Sequence, residues 1–331
     1  MINLVQIGLG PLGQKVVRFA LEREGVQFVG AVDPAQDKAG KDLGELCGLG
    51  RLGVPISRDL STALKGKQAQ VAILTTVSSV KKLVSQIEET AQANLNIVST
   101  CEELSYCQGT FPEAAARIDA ICKIHGVSCV GTGVNPGFLM DYLPCVLTSV
   151  CQKVEQVTVS RFQDASFRRI PFQQKIGAGL TPQQFQKKVA EGTLRHVGLA
   201  ESARMIAACI GWKLDRFTES LEPVVARERI TTGCQPVEAG MARGVEQVGR
   251  GWANDKEVIT LHFRAAIGEP ESVDTIEILG EPSFRSTIPG GINGDIATCA
   301  IVVNAIRSIQ KTTPGLKSML DLPVPGYSRR L

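Results

Sequence analysis

The sequence predicts an α/β protein in which a doubly wound parallel sheet is joined to a second, α+β domain with a mainly antiparallel sheet. Two observations support this prediction. Up to about residue 135, short apolar runs alternate with amphipathic stretches, as strands and helices do in parallel sheets. From about Val154 onward, longer runs alternate apolar with polar residues, which is typical of antiparallel strands.

The first part of the chain begins with a strand that runs from Ile2 to the glycine at position 8. Further strands are predicted at 26–32, 71–75, 96–99 and 128–131, and helices at 11–24, 79–93 and 111–125. Ligands of doubly wound sheets bind beyond the carboxyl ends of the strands. The residues that follow each strand are therefore the candidates for function.

The second part has predicted strands at 154–162, 216–227, 240–249, 257–266 and 273–279, and helices at 182–191 and 198–210. A last helix, 295–309, follows a glycine-rich segment, and its continuous apolar face suggests that it returns to the first domain. We expect a first domain at 1–143, a substrate and dimerisation domain at 144–292, and a returning helix and tail at 293–331.

Three glycines, Gly8, Gly10 and Gly13, follow the first strand and open the first helix. In this context they form the fingerprint of a Rossmann-type dinucleotide site. The first glycine allows the tight turn, the second lets the backbone approach a pyrophosphate, and the third lets the helix pack on the strand. We expect cofactor contacts along the whole loop: Gly8, Leu9, Gly10, Pro11, Leu12 and Gly13.

An acidic residue, Asp33, closes the second strand. A carboxylate there accepts hydrogen bonds from a ribose and repels a 2′-phosphate, which favours NAD over NADP. Lys38 and Lys41 follow and could neutralise a phosphate, so NADP remains open. The alternative role for Asp33 is that of a turn cap before Pro34.

Two acidic residues, Glu102 and Glu103, come directly after the strand at 96–99. A carboxylate there would lie near a nicotinamide and, if partly desolvated, would have a raised pKa that suits general acid/base catalysis. One of the two could instead cap a helix. Glu102 is the first choice because it is nearer the strand end, and Glu103 is the second. Cys101 has no nearby cation and is expected to be structural.

Other residues at strand ends are expected to contact the cofactor, namely Thr75, Thr76, Val77 and Thr100. The glycine-rich segment 131–137 holds Asn135, whose amide could bind a carboxamide or a polar group of the substrate; the alternative for this segment is an interdomain hinge.

Arg161 shares an apolar strand face with Val157 and Val159, so it needs a carboxylate of the protein or of a substrate. Arg168 and Arg169 are expected on a loop.

Composition excludes several classes of protein. The 331 residues carry a formal net charge of only +3, which predicts no nucleic-acid partner. We expect no signal segment, no membrane span and a cytoplasmic location. The ten cysteines include no CxxC pair and are expected to be reduced core residues, including Cys209, and the three histidines are too dispersed to suggest a metal site.

Several segments together resemble the dihydrodipicolinate-reductase-like amine dehydrogenases, a group that includes native amine dehydrogenases and 2,4-diaminopentanoate dehydrogenase. The segments are Ser-Thr-Cys-Glu-Glu-Leu-Ser-Tyr (99–106), Gly-Thr-Gly-Val-Asn-Pro-Gly-Phe-Leu-Met-Asp (131–141), Val-Ser-Arg-Phe-Gln-Asp (159–164), Arg-His-Val-Gly-Leu-Ala-Glu-Ser (195–202) and Gly-Gly-Ile-Asn-Gly-Asp-Ile-Ala-Thr (290–298). The resemblance covers nearly the whole chain.

The resemblance implies a homodimeric NAD- or NADP-dependent enzyme that interconverts a primary amine with a ketone or aldehyde and ammonia. It places the catalytic glutamate at Glu102, with Glu103 as the fallback. A substrate pocket is implied from Asn135, Phe138, Arg161 and His196, and cofactor contacts from Asn135 and Asn293.

The chain lacks the paired histidines and the lysine of dihydrodipicolinate reductase, so the lysine-pathway reaction is not expected. Two alternatives remain. One is a diamino-acid dehydrogenase, such as 2,4-diaminopentanoate dehydrogenase, in which Arg161 or another cation holds a carboxylate. The other is a dinucleotide-sensing regulator without catalysis.

Overall fold

The structure is a computed structural model, and it describes residues 1–168, 170–231 and 236–331. It divides into two compact units: unit 1 consists of Met1–Phe138 and Asn293–Leu331, and unit 2 of Leu139–Ile292. The first division precedes the predicted boundary at 143, because the helix that begins at Tyr142 packs on another helix of unit 2. The prediction for Arg169 lies outside the described residues.

Unit 1 contains a seven-stranded parallel sheet. Its strands are β1 (Ile2–Ile7), β2 (Val26–Val32), β3 (Ile56–Ser57), β4 (Val71–Leu74), β5 (Asn96–Ser99), β6 (Ser128–Gly131) and β13 (Gly315–Lys317). Their order is β13-β6-β5-β4-β1-β2-β3. The direction of winding reverses between β1 and β4, where doubly wound sheets bind their ligands.

The helices of unit 1 are α1 (Pro11–Leu21), α2 (Leu43–Leu46), α3 (Leu60–Ala63), α4 (Val80–Gln92), α5 (Pro112–Ile124) and α10 (Gly294–Ile309). Proline occupies the first position of α1 and α5, where its missing N–H costs nothing. The helix α4 packs beside α5, and α1 packs beside α10. The returning helix α10 is thus part of unit 1.

Unit 2 contains a six-stranded mixed sheet in the order β12-β11-β7-β10-β9-β8. Its strands are β7 (Lys153–Asp164), β8 (Arg216–Val225), β9 (Ala242–Ala253), β10 (Lys256–Ala266), β11 (Val273–Glu281) and β12 (Phe284–Pro289), and its helices are α6 (Tyr142–Leu147), α7 (Ile170–Lys175), α8 (Pro182–Ala190) and α9 (Leu199–Ile210). Among the described strands of this sheet, only β7 and β10 pair in parallel. Alternate residues of β7 are buried, including Val157, Val159 and Arg161.

The predicted fold class is confirmed. Within the part of the chain that the structure describes, no helix is long and apolar enough to cross a membrane. Within the tail, Gly315–Lys317 form β13 on the edge of the sheet of unit 1, parallel to β6. Beyond it, the amide of Glu24 donates to the carbonyl of Arg329, and the amide of Leu331 donates back to Glu24.

Candidate active site

The glycine loop between β1 and α1 has the geometry that the fingerprint predicts. Gly8 has φ +90°, a conformation that favours glycine. A Cβ on Gly13 would lie 2.1 Å from the carbonyl oxygen of Gly8, so only glycine fits there. A Cβ on Gly10 would meet no atom within 4 Å. Gly8 and Gly13 thus serve the fold, whereas Gly10 leaves open space where a ligand could approach the backbone.

The first turn of α1 is available to an anion. Gly10 is the residue before the helix, and no side chain among the described residues caps it. Pro11 has no N–H to donate, so the amides of Leu12 and Gly13 are the first-turn donors. Uncapped amides at a helix N-terminus, next to open space, suit a pyrophosphate.

Asp33 is buried at the end of β2 and is bound on both carboxylate oxygens. Its Oδ2 accepts hydrogen bonds from the amide of Leu9 and the ammonium of Lys38, both at 2.8 Å, and its Oδ1 accepts from the amide of Ala35 at 3.0 Å. Burial by itself would raise the pKa of Asp33, but the bonds from Lys38, Ala35 and Leu9 outweigh burial and lower it. Asp33 is therefore an ionised group that joins β2 to the glycine loop.

A cavity of about 480 Å³ lies along this edge of the sheet. It brings together six of the predicted cofactor residues: Gly8, Leu9, Gly10, Asp33, Thr75 and Thr76. Such a volume lies within the range of cofactor sites. Together with the uncapped helix and the open face of Gly10, these residues fit a dinucleotide.

Several residues of this cavity are not among the predicted site residues. The cavity is also lined by Arg58, Asp59, Gln86, Glu89 and Thr90. Gln6 is fully buried beneath the loop and donates to the carbonyl of Gly8 and to Oγ1 of Thr75, both at 2.9 Å. A glutamine between the apolar residues Val5 and Ile7 of a strand was the available signal, because buried amides require polar partners.

The two glutamates after β5 have different environments. Glu103 is buried, and its Oε2 accepts a hydrogen bond of 2.9 Å from the amide of Val80, the first residue of α4. Glu102 is half-buried, and among the described residues no hydrogen bond or ion pair engages its carboxylate. Burial raises the pKa of Cys101 to about 12, which agrees with its expected structural role.

The segment 131–137 follows β6 within unit 1. A Cβ on Gly137, which has φ +118°, would lie 2.5 Å from the amide nitrogen of Gly133, so the chain folds back tightly here. The amide of Val134 donates to Oγ1 of Thr298 on α10 at 3.3 Å. Asn135 and Phe138 are both half-buried.

Three further predicted cofactor residues, Val77, Thr100 and Asn293, do not line this cavity. Val77 and Thr100 follow β4 and β5, and the amide of Thr100 donates to the carbonyl of Leu74 at 3.0 Å. The Oδ1 atom of Asn293 accepts from the amides of Asp295 and Ile296, so this side chain caps α10.

In unit 2, Arg161 takes a carboxylate of the protein as its partner. Its Nη1 lies 3.0 Å from Oδ1 of Asp274, and its Nη2 donates to the carbonyl of Ile292 at 2.8 Å. The adjoining cavity holds about 10 Å³, roughly the room of one water molecule. Burial raises the pKa of Asp274 and lowers that of Arg161. This geometry does not favour Arg161 as the holder of a substrate carboxylate.

His196 lies between α8 and α9, with its ring 4.4 Å from that of Phe263. Its backbone amide and carbonyl both bond the side chain of Gln247, at 2.8 and 2.9 Å. Burial, together with the charges of Lys175 and Arg161, lowers the pKa of His196 to about 3. The imidazole is therefore neutral at physiological pH.

The doubly wound sheet, the glycine loop and the cavity define the chain as a dehydrogenase that uses a nicotinamide dinucleotide. Comparisons with known proteins give the family. Residues 138–328 match the model of the 2,4-diaminopentanoate dehydrogenase C-terminal domain, and residues 2–102 match that of the dihydrodipicolinate reductase N-terminus. The chain belongs to the 2,4-diaminopentanoate dehydrogenase family, which confirms the resemblance.

Individual relatives agree with this membership. The chain is 33% identical to 2,4-diaminopentanoate dehydrogenase of Acetoanaerobium sticklandii, over 98% of this chain and 94% of that protein. It is 22% identical to an amine dehydrogenase of Streptomyces virginiae, over 98% and 97%. The structure of an amine dehydrogenase from Mycobacterium smegmatis has the same fold, with TM-score 0.87, 24% identity, and coverage of 100% and 98%. These relatives leave a non-catalytic regulator without support.

Proposed function

We propose that this protein is an NAD(P)-dependent amine dehydrogenase that catalyses the reversible reductive amination of a ketone or aldehyde, with Glu102 as its catalytic carboxylate. The observation that carries the proposal is the division of roles between neighbouring acids. The carboxylate of Glu103 is hydrogen-bonded to the first residue of α4, whereas among the described residues none bonds the carboxylate of Glu102. Glu102 follows β5, which lies next to β4 in the sheet, and the residues after β4 line the cavity. A carboxylate in that place can exchange protons with a substrate.

In the proposed reaction, a carbonyl compound, ammonia, NAD(P)H and a proton yield an amine, NAD(P)+ and water. Glu102 accepts a proton from ammonium, so that neutral ammonia can attack the carbonyl carbon. Glu102 then returns that proton to the departing hydroxyl, which leaves as water. The bound cofactor supplies the hydride. The protein otherwise contributes orientation and a site from which water is excluded.

We propose the glycine loop and first turn of α1 as the pyrophosphate site, and Asp33 as the ribose partner. Three of the roughly four lone-pair positions of the Asp33 carboxylate are taken, which leaves one on Oδ1 for a ribose hydroxyl. This favours NAD. Lys38 offsets the charge of Asp33, so NADP should be accepted with weaker affinity.

For the substrate side we propose Asn135, Phe138 and His196. His196 would serve as a neutral hydrogen-bonding group, since its lowered pKa argues against an ionic role.

We propose a homodimer formed through unit 2, because the outer face of its sheet carries the half-buried side chains of Phe162, Val248 and Trp252. Light scattering on the purified protein would test this assembly.

A second candidate is 2,4-diaminopentanoate dehydrogenase activity, favoured by the 33% identity to an enzyme of that name over 98% of this chain. Its substrate carries a carboxylate, and Arg161 is already paired with Asp274. A different cation would then have to hold that carboxylate.

One assay tests both candidates. Oxidation of NADH and NADPH would be followed with a panel of ketones and aldehydes and with 2-amino-4-oxopentanoate, each with and without ammonium. The proposal expects oxidation only when ammonium is present. Equal rates without ammonium would contradict amine chemistry, and a strong preference for 2-amino-4-oxopentanoate would favour the second candidate.

A further inference from the structure

Glu102 lies on a three-residue 3-10 turn, Glu102–Leu104, whose ends are closed by local hydrogen bonds. The amide of Cys101 donates to Oγ of Ser99 at 3.1 Å, and Oγ of Ser105 donates to the carbonyl of Glu102 at 2.9 Å. These bonds fix the shape of the turn. They do not fix its place against the rest of the sheet.

One contact that places the turn comes from Glu103. The first residue of α4 is Val80, and the preceding Ser79 provides no side-chain cap. The carboxylate of Glu103 caps this helix instead, through the 2.9 Å bond from the amide of Val80. The amide of Glu103 also donates to the carbonyl of Ser78 at 3.4 Å. Because successive residues of a 3-10 turn project about 120° apart, a fixed Glu103 also fixes the direction of Glu102.

The second contact comes from Gly131, the last residue of β6. A Cβ at Gly131 would lie 2.6 Å from the carbonyl carbon of Leu104 and 2.8 Å from the amide nitrogen of Ser105. Both are backbone atoms, so an added methyl group cannot be accommodated by a side-chain rotation. Gly131 pairs with Ser99 across β5 and β6, and the amide of Thr132 donates to the carbonyl of Ser99 at 2.8 Å. The strand therefore cannot easily move away from the turn.

We infer that Glu103 and Gly131 are positioning residues for Glu102. The hydrogen bond of Glu103 holds the turn against α4, and the missing side chain of Gly131 lets β6 pack directly on the backbone of the turn. This inference rests on the proposed role of Glu102. A displacement of about 1 Å can lower a rate by as much as about a hundredfold. An added Cβ at Gly131 requires a shift of this kind, because its nearest contacts are shorter than real Cβ contacts.

The test measures ammonium-dependent turnover of E102Q, E103A, E103Q, G131A and the control G326A. A Cβ on Gly326 would meet no atom within 4 Å. Each variant is also examined for NADH affinity by fluorescence and for thermal midpoint. We expect kcat to fall about tenfold in E103A and ten- to a hundredfold in G131A, with NADH affinity nearly unchanged. E103Q should recover most of the kcat, because its amide oxygen still accepts from Val80, and G326A should match the parent.

The outcomes separate the inference from the function on which it rests. Near-normal turnover of E102Q overturns the proposed function. If E102Q is inactive while folded E103A and G131A keep the parent kcat, the inference is overturned. A lower thermal midpoint with unchanged kcat per folded molecule shows a merely structural role and also overturns it. If G131A does not fold, the comparison of E103A with E103Q decides, since equal losses in both would exclude the hydrogen bond to Val80 as the cause.

Discussion

The ammonium of Lys38 lies 2.8 Å from Oδ2 of Asp33, and the same oxygen accepts a hydrogen bond from the amide of Leu9. The acid that marks the end of β2 thus has a compensated charge and a bond to the glycine loop. Its pKa is lowered despite its burial, so it remains ionised over the working pH range. Cofactor preference should depend on this pair rather than on Asp33 alone.

We predict that K38A discriminates more strongly against NADPH. Without Lys38, the charge of Asp33 is uncompensated and repels a 2′-phosphate, so KM for NADPH should rise about tenfold, equivalent to about 1.4 kcal/mol. KM for NADH should change little. K67A is the control, since Lys67 is exposed and does not line the cavity. Equal changes in both KM values for K38A would contradict the prediction.

A second prediction contrasts two glycines of the fingerprint. G13A places a methyl group against the carbonyl oxygen of Gly8 and should lower the thermal midpoint of the apoprotein by several degrees. G10A meets no protein atom and should leave that midpoint unchanged while weakening NADH binding about tenfold or more. Calorimetry with and without NADH distinguishes the two effects. An equal loss of midpoint in both apoproteins would show that Gly10 also serves the fold.

Many strands and helices could be predicted from sequence because strands of the parallel sheet are short apolar runs and the longer helices repeat apolar residues every three to four positions. The bounds of β2, β5 and β6 agree with prediction. The elements α2 and α3, of four residues each, and β3, of two, are too short to show a period. Because β3 was not predicted, Arg58 and Asp59, which follow it and line the cavity, were not recognised as residues at a strand end.

Pairings between distant positions could not be predicted. The sequence indicated that Arg161 needs a partner, but Asp274 lies 113 residues away on another strand. The role of Glu103 as a cap was raised as a possibility, yet the helix that it caps is the preceding one, 23 residues back, rather than a following one. Such partners depend on strand order, which local patterns do not encode.

The role of Glu102 predicts that E102Q loses amination activity while still binding NADH. General acid/base groups typically contribute a factor of about 10² to 10⁴, so kcat should fall at least about a hundredfold. E113Q is the control, because Glu113 is an exposed acid in the first turn of α5. Single-turnover kinetics with ammonium and NADH would check this. Turnover close to that of the parent would remove Glu102 from the mechanism.

Breaking the ion pair of unit 2 should be costly. R161M leaves the carboxylate of Asp274 buried without its cation, which we expect to reduce the free energy of unfolding by about 3–5 kcal/mol. R161M/D274N should recover part of this loss. Denaturant titrations of the parent, R161M and R161M/D274N would measure the free energy of unfolding. An R161M variant with the same value as the parent would show that the pair contributes little to stability.

The same variant predicts a pH dependence. Burial already raises the pKa of Asp274, and loss of Arg161 removes the charge that opposes this rise. Folded R161M therefore keeps a proton that the unfolded chain releases above about pH 3.9. The deficit relative to the parent should grow as pH rises from that value through the raised folded pKa, and shrink on acidification.

Cys209 was predicted to be a core residue, and this was wrong, since it is exposed near the end of α9. A hydrogen bond from Cys145 lowers the pKa of Cys209 to about 7. We predict that iodoacetamide at pH 7 modifies Cys209 first among the nine described cysteines. C145A should slow this reaction about tenfold by reducing the thiolate fraction. Peptide mass mapping over time would follow it, with the half-buried Cys151 as internal reference.

The strand β13 pairs with β6, and the residues near Leu331 pair with Glu24, so unit 1 is built from two segments that enclose unit 2 in the chain. During synthesis, a nascent chain that has reached residue 292 contains all of unit 2 but lacks α10 and β13. Unit 2, although second in the sequence, can complete its structure first. Unit 1 has to wait until α10 and β13 have been synthesised, and before then a chaperone would bind it as an incomplete sheet.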